Sequence, residues 1–285
     1  MKFSLVMATL GRSDEIKIFL DSLNSQDYKN FELIIVDQNE NDILRDIVDS
    51  YKYDFYINHI RIREKGLSLA RNVGIKYATG DIIAFPDDDC AYSEGILSFI
   101  VKFFEENEKF NFLTFRLKDR ESGEDANLKW YDYNVEINYK NIFRTVISPS
   151  IFIKIKSRDD IFFDENLGVG RKFGSGEETD MILELLHRGY KGMFLNDYIV
   201  YHPNKREPIE KVYSYGLGYG ATLKKQVKLR NGNGFILNYL IKDSILKPII
   251  GMIINFVTFN NHEANSYKKR MISRIKGYLE YEVWF

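Results

Sequence analysis

The chain has 285 residues and is 45% hydrophobic, enough to bury the core of one large α/β domain with an appended segment. Its 40 Lys and Arg residues are balanced by 41 Asp and Glu residues, and the net charge of −1 excludes the strongly basic composition typical of nucleic-acid binders. The single cysteine, Cys90, excludes an internal disulfide and fits a reducing cytoplasm.

Strand and helix patterns alternate from the first residues onward. The apolar run 3–8 predicts a buried strand, since it is too short for a signal peptide and Arg12 follows it closely. A helix is expected from about Asp14, with Ser13 as its N-cap. The apolar face of this helix comprises Ile16, Phe19, Leu20 and Leu23.

The alternation continues for three more units. Strands are predicted at 33–36, 56–62 and 82–85, and helices from about 43, at 68–77 and at 94–106. This order predicts an α/β fold with a mainly parallel, Rossmann-like sheet flanked by helices. No stretch reaches the roughly 18 uninterrupted apolar residues of a membrane span, which favours a cytoplasmic protein.

Polar side chains stand where three of the predicted strands end. Thr9 and Asp37 follow the first two strands, and Asp87, Asp88 and Asp89 follow the fourth. In open α/β sheets, ligands bind outside the carboxyl ends of the strands, so these residues are expected to share one site. Only one glycine follows the first strand, which argues against a nicotinamide or flavin enzyme of the Rossmann type.

The three consecutive carboxylates, Asp87 to Asp89, have two readings. A buried strand that delivers acidic side chains to its end places charge where it is costly without a partner, and a divalent cation carrying a phosphorylated ligand is a suitable partner. Acidic clusters also occur in solvated turns that cap helices, and Ser93 and Glu94 follow closely. The triplet taken alone leaves both readings open.

Five motifs together resemble glycosyltransferase family 2, the inverting nucleotide-sugar transferases with the glycosyltransferase A-type fold. The motifs, in chain order, are 7–12 (MATLGR), 36–37 (VD), 66–72 (GLSLARN), 85–89 (FPDDD) and 176–180 (GEETD). The resemblance covers roughly residues 1–203. It implies a nucleotide-sugar-binding and catalytic domain at 1–206, followed by a helical C-terminal segment at 207–285.

The resemblance implies nucleotide-binding roles for residues of the first three motifs. Asp37 would accept a hydrogen bond from the N3 imide of uracil or thymine, while Thr9 frames the base and ribose. Arg12 would lie near the phosphates, and Gly66 and Arg71 would contact the nucleotide at a helix N-terminus, whose dipole favours anions.

Plainer interpretations of the same residues remain. Arg12 is within reach of a surface salt bridge with Asp14 or Glu15, and Asp37 begins a polar loop in which it would serve as a turn residue. Ser68 is equally suited to capping the helix that it opens.

The resemblance also implies a metal site. Asp89 would be the direct ligand, Asp87 would face both ribose and metal, and Asp88 would occupy the variable middle position on the nucleotide side. His202 would bind the metal or the diphosphate, although a lone His at a strand end is more often structural. Carboxylate and phosphate oxygens suit Mn²⁺ or Mg²⁺.

The fifth motif supplies candidates for the general base. Family members usually carry a Glu-Asp pair here, and Glu178 aligns with the Asp that deprotonates the acceptor; Asp180 and Glu177 are its rivals. Acidic residues in a first helical turn also serve as simple dipole partners. The implied reaction is a single displacement in which a sugar passes from a UDP-sugar, or a dTDP-sugar, to a saccharide acceptor.

Two further segments are assigned to the acceptor side. The glycine-rich segment 168–176 is expected to form a lid. Trp130, Tyr131 and Tyr133 are candidates to line the acceptor site, but core packing is the default interpretation, since the chain has 19 Tyr and 21 Phe residues.

The C-terminal segment carries an apolar run, 235–259, interrupted by Lys242, Asp243, Lys247 and Pro248. Such helices suit the surface of a membrane, on the cytoplasmic face of which a lipid-linked acceptor for capsule or O-antigen polysaccharide would lie. A helix pair between the subunits of a homodimer is the alternative.

Two other function classes compete with the transferase. A sugar-phosphate nucleotidyltransferase also binds a nucleotide and a metal, but its glycine-rich basic loop is poorly represented by Gly11 and Arg12. A noncatalytic nucleotide-sugar-binding module would retain the same pocket.

Overall fold

The computed structural model describes residues 1–50, 53–204, 208–229 and 234–283. The strands are β1 (Phe3–Thr9), β2 (Phe31–Asp37), β3 (Tyr56–Arg61), β4 (Ile82–Ala84), β5 (Ala91–Tyr92), β6 (Phe112–Lys118), β7 (Val135–Ile137), β8 (Phe152–Lys154) and β9 (Gly192–Tyr201). The α-helices are α1 (Asp14–Asn24), α2 (Ile43–Ser50), α3 (Leu67–Tyr77), α4 (Ile96–Glu106), α5 (Glu177–His187), α6 (Ile209–Leu229), α7 (Gly234–Ile241), α8 (Lys247–Val257) and α9 (Asn261–Glu280). A π-helical turn, Lys242–Leu246, joins α7 to α8.

The strands form one sheet in the order β3-β2-β1-β4-β8-β6-β9-β5, with β7 also paired to β9. Strands β1 to β4 are mutually parallel, as predicted, and every residue of β1 and β2 is buried. Parallel strands covered on both faces have this continuous apolar character. The other half of the sheet is mixed, because β8 is antiparallel to both β4 and β6 whereas β6 and β9 are parallel.

Helix α1 begins at Asp14, as predicted, whereas two predicted caps and one helix start need correction. The Ser13 side chain makes no capping hydrogen bond to α1, although the predicted apolar face of that helix is buried. Helix α3 has Gly66 at its N-cap, so Ser68 lies within the first turn and is not the cap. Helix α4 begins at Ile96, later than expected, because Gly95 adopts a left-handed φ of +74° that a helix cannot continue through.

The chain divides into two compact units. The first comprises Met1–Phe162 and Glu184–Lys205 and contains the sheet; the second comprises Phe163–Leu183 and Arg206–Phe285 and contains the C-terminal helices. The predicted domain boundary between 206 and 207 falls within 205–207, outside the described residues, and stays a prediction. Within the described ranges, no helix is both long and apolar enough to cross a bilayer.

The second unit is organised by close contact between α6 and α9. A Cβ atom placed on Gly220 would lie 2.0 Å from the carbonyl oxygen of Arg274, and one on Gly277 would lie 2.0 Å from that of Leu217. Only glycine permits so close an approach of two backbones. A small apolar core accompanies this contact and comprises Leu167, Phe173, Leu217, Ala221 and Tyr281.

Candidate functional site

The residues expected at the sheet edge lie in the first unit. Thr9 ends β1 and Asp37 ends β2, where their Cα atoms are paired in parallel register. Asp87 to Asp89 follow β4, the neighbour of β1 on its other side. Three parallel strands, β1, β2 and β4, therefore deliver their polar carboxyl ends to one edge of the sheet, where ligands bind in open α/β folds.

Asp87, Asp89 and His202 converge as predicted. One ligand atom from each lies within 4.8 Å of the others, the only such three-residue cluster found among the described residues. The Nε2 atom of His202 lies 3.3 Å from Oδ1 of Asp89 and 3.8 Å from Oδ2 of Asp87. His202 comes from the end of β9, so two separate strands build the cluster.

The orientation of the His202 ring suits a metal ligand. Its Nδ1 lies 3.0 Å from the Pro203 carbonyl oxygen, and because a carbonyl only accepts, Nδ1 must carry a proton. Nε2 is therefore the nitrogen that faces the two carboxylates. Burial lowers the pKa of His202, but its hydrogen bond with Asp89 and the charges of Asp87 and Asp89 raise that pKa by more.

Two carboxylates and one imidazole fit a small divalent cation. Hard oxygen ligands suit both Mg²⁺ and Mn²⁺, and an imidazole ligand favours Mn²⁺ over Mg²⁺. Each of the three residues is half-buried, which leaves room for further ligands from a bound molecule. The donor set thus fits the predicted metal.

Arg12 and Thr9 also contact the acidic triplet. Nη2 of Arg12 lies 2.9 Å from Oδ2 of Asp89, and the predicted salt bridge with Glu15 is present as well, at 3.0 Å. The Thr9 hydroxyl donates a 2.7 Å hydrogen bond to Asp88. Burial raises the pKa of Asp88 to about 6, although Thr9 and Arg12 oppose that shift. All three carboxylates therefore have polar partners.

The α3 motif is tied to the same place. Arg71 is only 1% exposed, and its Nη2 lies 3.0 Å from Oδ1 of Asp87, so a fully buried guanidinium orients a proposed metal ligand. Gly66 adopts a φ of +152°, which favours glycine, and its N–H donates to the side-chain oxygen of Gln38 at 2.7 Å. Arg71 and Gly66 thus connect the nucleotide motif to the sheet edge.

Asp37 is held in a small buried network. One carboxylate oxygen accepts from the backbone and side-chain N–H groups of Asn39, both at 2.8 Å, and the other lies 2.9 Å from Nε2 of His59. The side-chain oxygen of Asn39 in turn accepts from the Gly11 N–H at 2.7 Å. The contacts of His59 and Asn39 with Asp37 were not predicted from the sequence, since Asn39 lies in a polar loop and His59 belongs to no local motif.

The general-base candidates lie in the second unit, at the start of α5. Asp180 is 1% exposed, and its carboxylate binds Lys225 Nζ and Gln226 Nε2, each at 2.7 Å. Burial raises the pKa of Asp180, while Lys225 acts against that shift. Glu177 is also buried, at 5% exposure, whereas Glu178 is half-buried. Glu178 is the most accessible of the three carboxylates.

The predicted lid and aromatic residues have definite packing. The Gly174 N–H donates to the Ser214 carbonyl at 3.1 Å, and the Ser175 hydroxyl donates to that of Tyr215 at 2.8 Å, so this segment is tied to α6. Trp130 belongs to the core, in agreement with the default interpretation, because its ring stacks on Phe194 at 5.7 Å and is 4% exposed.

The sheet with carboxylates at its edge defines an α/β protein of the glycosyltransferase A type, and solved structures show the same fold. A mannosyltransferase from Pyrobaculum calidifontis, solved with GDP-Man and Mn²⁺, matches with a TM-score of 0.70 at 13% identity, over 98% of this chain and 87% of its own. Residues 1–349 of Staphylococcus aureus TarS, solved with UDP-GlcNAc, match with a TM-score of 0.60 at 18% identity, over 97% of this chain and 92% of that one. Identities this low show the fold alone.

The model of the family described as glycosyl transferase family 2 matches residues 4–160, more than half of the chain. The chain therefore belongs to glycosyl transferase family 2.

Curated relatives agree with this membership. An uncharacterized glycosyltransferase of Rickettsia felis is 28% identical over 174 residues, which cover 59% of this chain and 28% of the relative. The amylovoran biosynthesis glycosyltransferase AmsB of Erwinia amylovora is 40% identical over 93 residues, 31% of each chain. The poly(ribitol-phosphate) beta-N-acetylglucosaminyltransferase TarS of S. aureus is 25% identical over 214 residues, 73% of this chain and 36% of TarS. The chain thus spans only about a third of the length of these relatives.

Proposed function

We propose that this protein is a metal-dependent, inverting glycosyltransferase that moves a sugar from a UDP-sugar to a saccharide acceptor. The observation that carries the proposal is the convergence of Asp87, Asp89 and His202 at the sheet edge, in a chain of glycosyl transferase family 2. Conserved fold alone would not support an activity, since function depends on the site.

For the donor, we assign recognition of the uracil or thymine ring to Asp37 and binding of the phosphates to the α3 motif. A buried carboxylate at the end of β2 can accept from the N3 imide of uracil or thymine, so UDP-sugars and dTDP-sugars both suit it. Arg12 is 30% exposed beside the metal cluster, and its guanidinium can contact a diphosphate there. The first turn of α3, which follows Gly66, can supply backbone N–H groups toward the same anion, while the N–H of Gly66 itself is donated to Gln38.

The metal side of the proposal assigns Asp89, Asp87 and His202 as protein ligands and Asp88 to the nucleotide. Bound Mn²⁺ or Mg²⁺ would supply Lewis-acid stabilisation of the negative charge on the departing diphosphate. Arg71 fixes the orientation of the Asp87 carboxylate, and the Pro203 carbonyl fixes the His202 ring.

For the chemical step we assign the general base to Glu178. Its carboxylate takes the proton of an acceptor hydroxyl, whose oxygen forms a bond to the anomeric carbon of the sugar as the bond to the diphosphate oxygen breaks. UDP leaves with the electron pair of that bond, and a single displacement inverts the anomeric configuration. Glu178 is preferred to Asp180 and Glu177 because it is the least buried, and because Asp180 is already paired with Lys225.

We assign the acceptor to surface polysaccharide assembly, such as capsule or O-antigen synthesis, with a lipid-linked oligosaccharide on the inner face of the cell membrane. Support comes from the relatives, since AmsB is named for amylovoran biosynthesis and TarS for transfer to poly(ribitol-phosphate). The metal assignment is supported by the Mn²⁺ in the Pyrobaculum mannosyltransferase structure.

Release of UDP from a panel of UDP-sugars and dTDP-sugars, measured with Mn²⁺ and with EDTA, tests this function. We expect Mn²⁺-dependent release by the wild-type chain and none by Asp89→Ala, with Asp132→Ala, which removes an acidic side chain that is 85% exposed, as the control. Production of a nucleotide-sugar from UTP and a sugar phosphate would instead indicate a nucleotidyltransferase. Donor binding without any release would indicate a noncatalytic module.

A further inference from the structure

The second unit exposes an unusual concentration of apolar side chains. Among the described residues, 21 large hydrophobic side chains are exposed, and 11 of these fall between positions 235 and 259. Single exposed apolar residues are ordinary, but a contiguous group of this kind marks a surface that binds something. Helix α8 and the residues after it carry the most exposed members.

Helix α8 turns its apolar side outward. Its inner side packs on α9 at Gly251, whose α-carbon faces the Tyr267 ring, so that an added Cβ would lie 2.6 Å from a ring atom. The half-buried Asn255 side chain donates to the Gly251 carbonyl within α8. The outer side of α8, which with Phe259 we call the α8 face, is 37% to 90% exposed. Its members are Ile249, Ile250, Ile253, Ile254, Phe256, Val257 and Phe259.

This arrangement reverses the usual pattern of a surface helix. A helix in a water-soluble domain places its apolar stripe against the core and its polar residues outside. In α8 the half-buried positions include Gly251 and Asn255, which have little apolar surface to remove from water. Five large apolar residues of the helix are more than half exposed: Ile250, Ile253, Ile254, Phe256 and Val257. Packing within the second unit therefore gives no reason for the α8 face.

Positive charge predominates in the segment that carries the α8 face. Residues 234–280 contain seven Lys and Arg but three Asp and Glu, a net charge of +4 in a chain whose total is −1. Lys268 of α9 lines a groove with Met252, Ile253 and Phe256. Arg270, two residues further along α9, is exposed and lies over the Tyr267 ring, which contacts α8 at Gly251. An apolar face with cations at its border is complementary to a layer of anionic lipid headgroups over acyl chains.

The dimensions of α8 fit a helix that lies on a membrane. Eleven residues extend about 16 Å, roughly half of the hydrocarbon thickness of a bilayer. In a two-fold dimer through the α8 face, the same basic border would meet its own copy, and like charges in contact are unfavourable. The charge therefore favours a lipid surface over a second copy of this chain.

We infer that the α8 face binds the surface of a membrane containing anionic lipids, with α8 parallel to the membrane plane and Lys268 and Arg270 at the headgroups. The surface is independent of the proposed transfer reaction, because none of its residues is a proposed ligand, nucleotide contact or base. A chain that did not bind vesicles would still be expected to bind UDP, and a chain without transferase activity would still be expected to bind vesicles.

Cosedimentation of the full chain with vesicles tests the inference. The probes are vesicles of phosphatidylcholine alone and of phosphatidylcholine mixed with phosphatidylglycerol. We expect the wild-type chain to sediment with the mixed vesicles. The partition coefficient of the double variant Ile253→Ser, Phe256→Ser should fall about tenfold, because two large apolar side chains no longer insert into the membrane. Added salt should weaken binding, since anionic headgroups attract the basic border.

The matched control is Ile18→Ser, which removes another exposed isoleucine, 47% exposed, from α1 of the first unit. This variant should sediment like the wild type, and all variants should retain the same UDP affinity as a check of folding. Equal sedimentation with and without anionic vesicles would overturn the inference, as would wild-type binding by the double variant. A dimer in solution that the double variant dissociates, without vesicle binding, would assign the α8 face to a second copy instead.

Discussion

Nζ of Lys225 lies 2.7 Å from Oδ2 of Asp180 and 2.8 Å from Oδ2 of Asp164. One half-buried ammonium thus joins the helix that carries the proposed general base to the loop before it, within the second unit. The burial of Lys225 lowers its pKa, but the two carboxylates raise it by more and keep the side chain charged. This pairing makes Asp180 a structural residue in our account and leaves proton transfer to Glu178.

Replacement of Lys225 by Met should destabilise the second unit. The change leaves the buried Asp180 and the half-buried Asp164 without their cation, and removal of one partner from a buried ion pair costs up to about 3–5 kcal/mol. Urea unfolding of the wild type, Lys225→Met and the charge-retaining Lys225→Arg measures this. If the free energy of unfolding fell no further in Lys225→Met than in Lys225→Arg, the charge of Lys225 would not be the source of its contribution to stability.

Replacement of Glu178 by Gln should abolish most sugar transfer while UDP binding is unchanged. The amide retains size and polarity but cannot take up the proton, and loss of a general base lowers kcat by about 10²–10⁴-fold. Turnover and UDP affinity should be measured together for Glu178→Gln and Glu177→Gln. Full turnover in Glu178→Gln with loss in Glu177→Gln would move the base to Glu177.

Replacement of Asp37 by Asn should weaken the preference for uracil. A carboxylate accepts from the N3 imide of uracil, whereas cytosine lacks that donor, so the wild type should bind UDP about tenfold or more tightly than CDP. In Asp37→Asn the ratio of the two affinities should fall. Asp42→Asn, an exposed change in the same loop, serves as the control. An unchanged ratio in Asp37→Asn would leave Asp37 as a turn residue.

Glu32 should contribute stability that is lost in acid. Its buried carboxylate accepts from Lys2 and Ser4 and from the backbone and side chain of Thr79. Burial raises the pKa of Glu32, but these hydrogen bonds lower it by more, so the folded value lies below its ordinary value. A depressed folded pKa gives stability that is complete above the unfolded value, about 4.3, and disappears as the pH falls through the folded value.

Glu32→Gln should therefore cost about 1–2 kcal/mol at pH 7 and progressively less below about pH 4.5. Urea unfolding at several pH values, with EDTA present, measures the difference between the two proteins. A difference that stays constant down to pH 3 would show that ionisation of Glu32 is not its source.

The parallel half of the fold was predictable because its signals are local. Strands β1 and β2 are buried on both faces and read as continuous apolar runs, and each is followed by a helix with a clear apolar side. The mixed half was not predictable, since β6 pairs in parallel with β9, some eighty residues later, and β8 enters between β4 and β6. Such pairings leave no periodic trace in either strand.

The candidate site shows the same division. Asp87 and Asp89 followed from a motif and His202 from the family resemblance alone, and the structure brings all three together. Lys225 and His59 did not follow, because each meets its carboxylate partner across a long separation, 45 residues for Lys225 and 22 for His59. Lys225 stands in a basic helical run that otherwise indicates a solvated face.

The most direct test of the central claim is the affinity for UDP measured calorimetrically with Mn²⁺ and with EDTA. We expect Mn²⁺ to tighten UDP binding by about tenfold or more in the wild type, because the ion would join the diphosphate to Asp87, Asp89 and His202. This dependence should disappear in Asp89→Ala and weaken in His202→Ala, whereas His262→Ala, which removes an exposed histidine, should behave as the wild type. Equal UDP affinity with Mn²⁺ and with EDTA in the wild type would contradict the metal site.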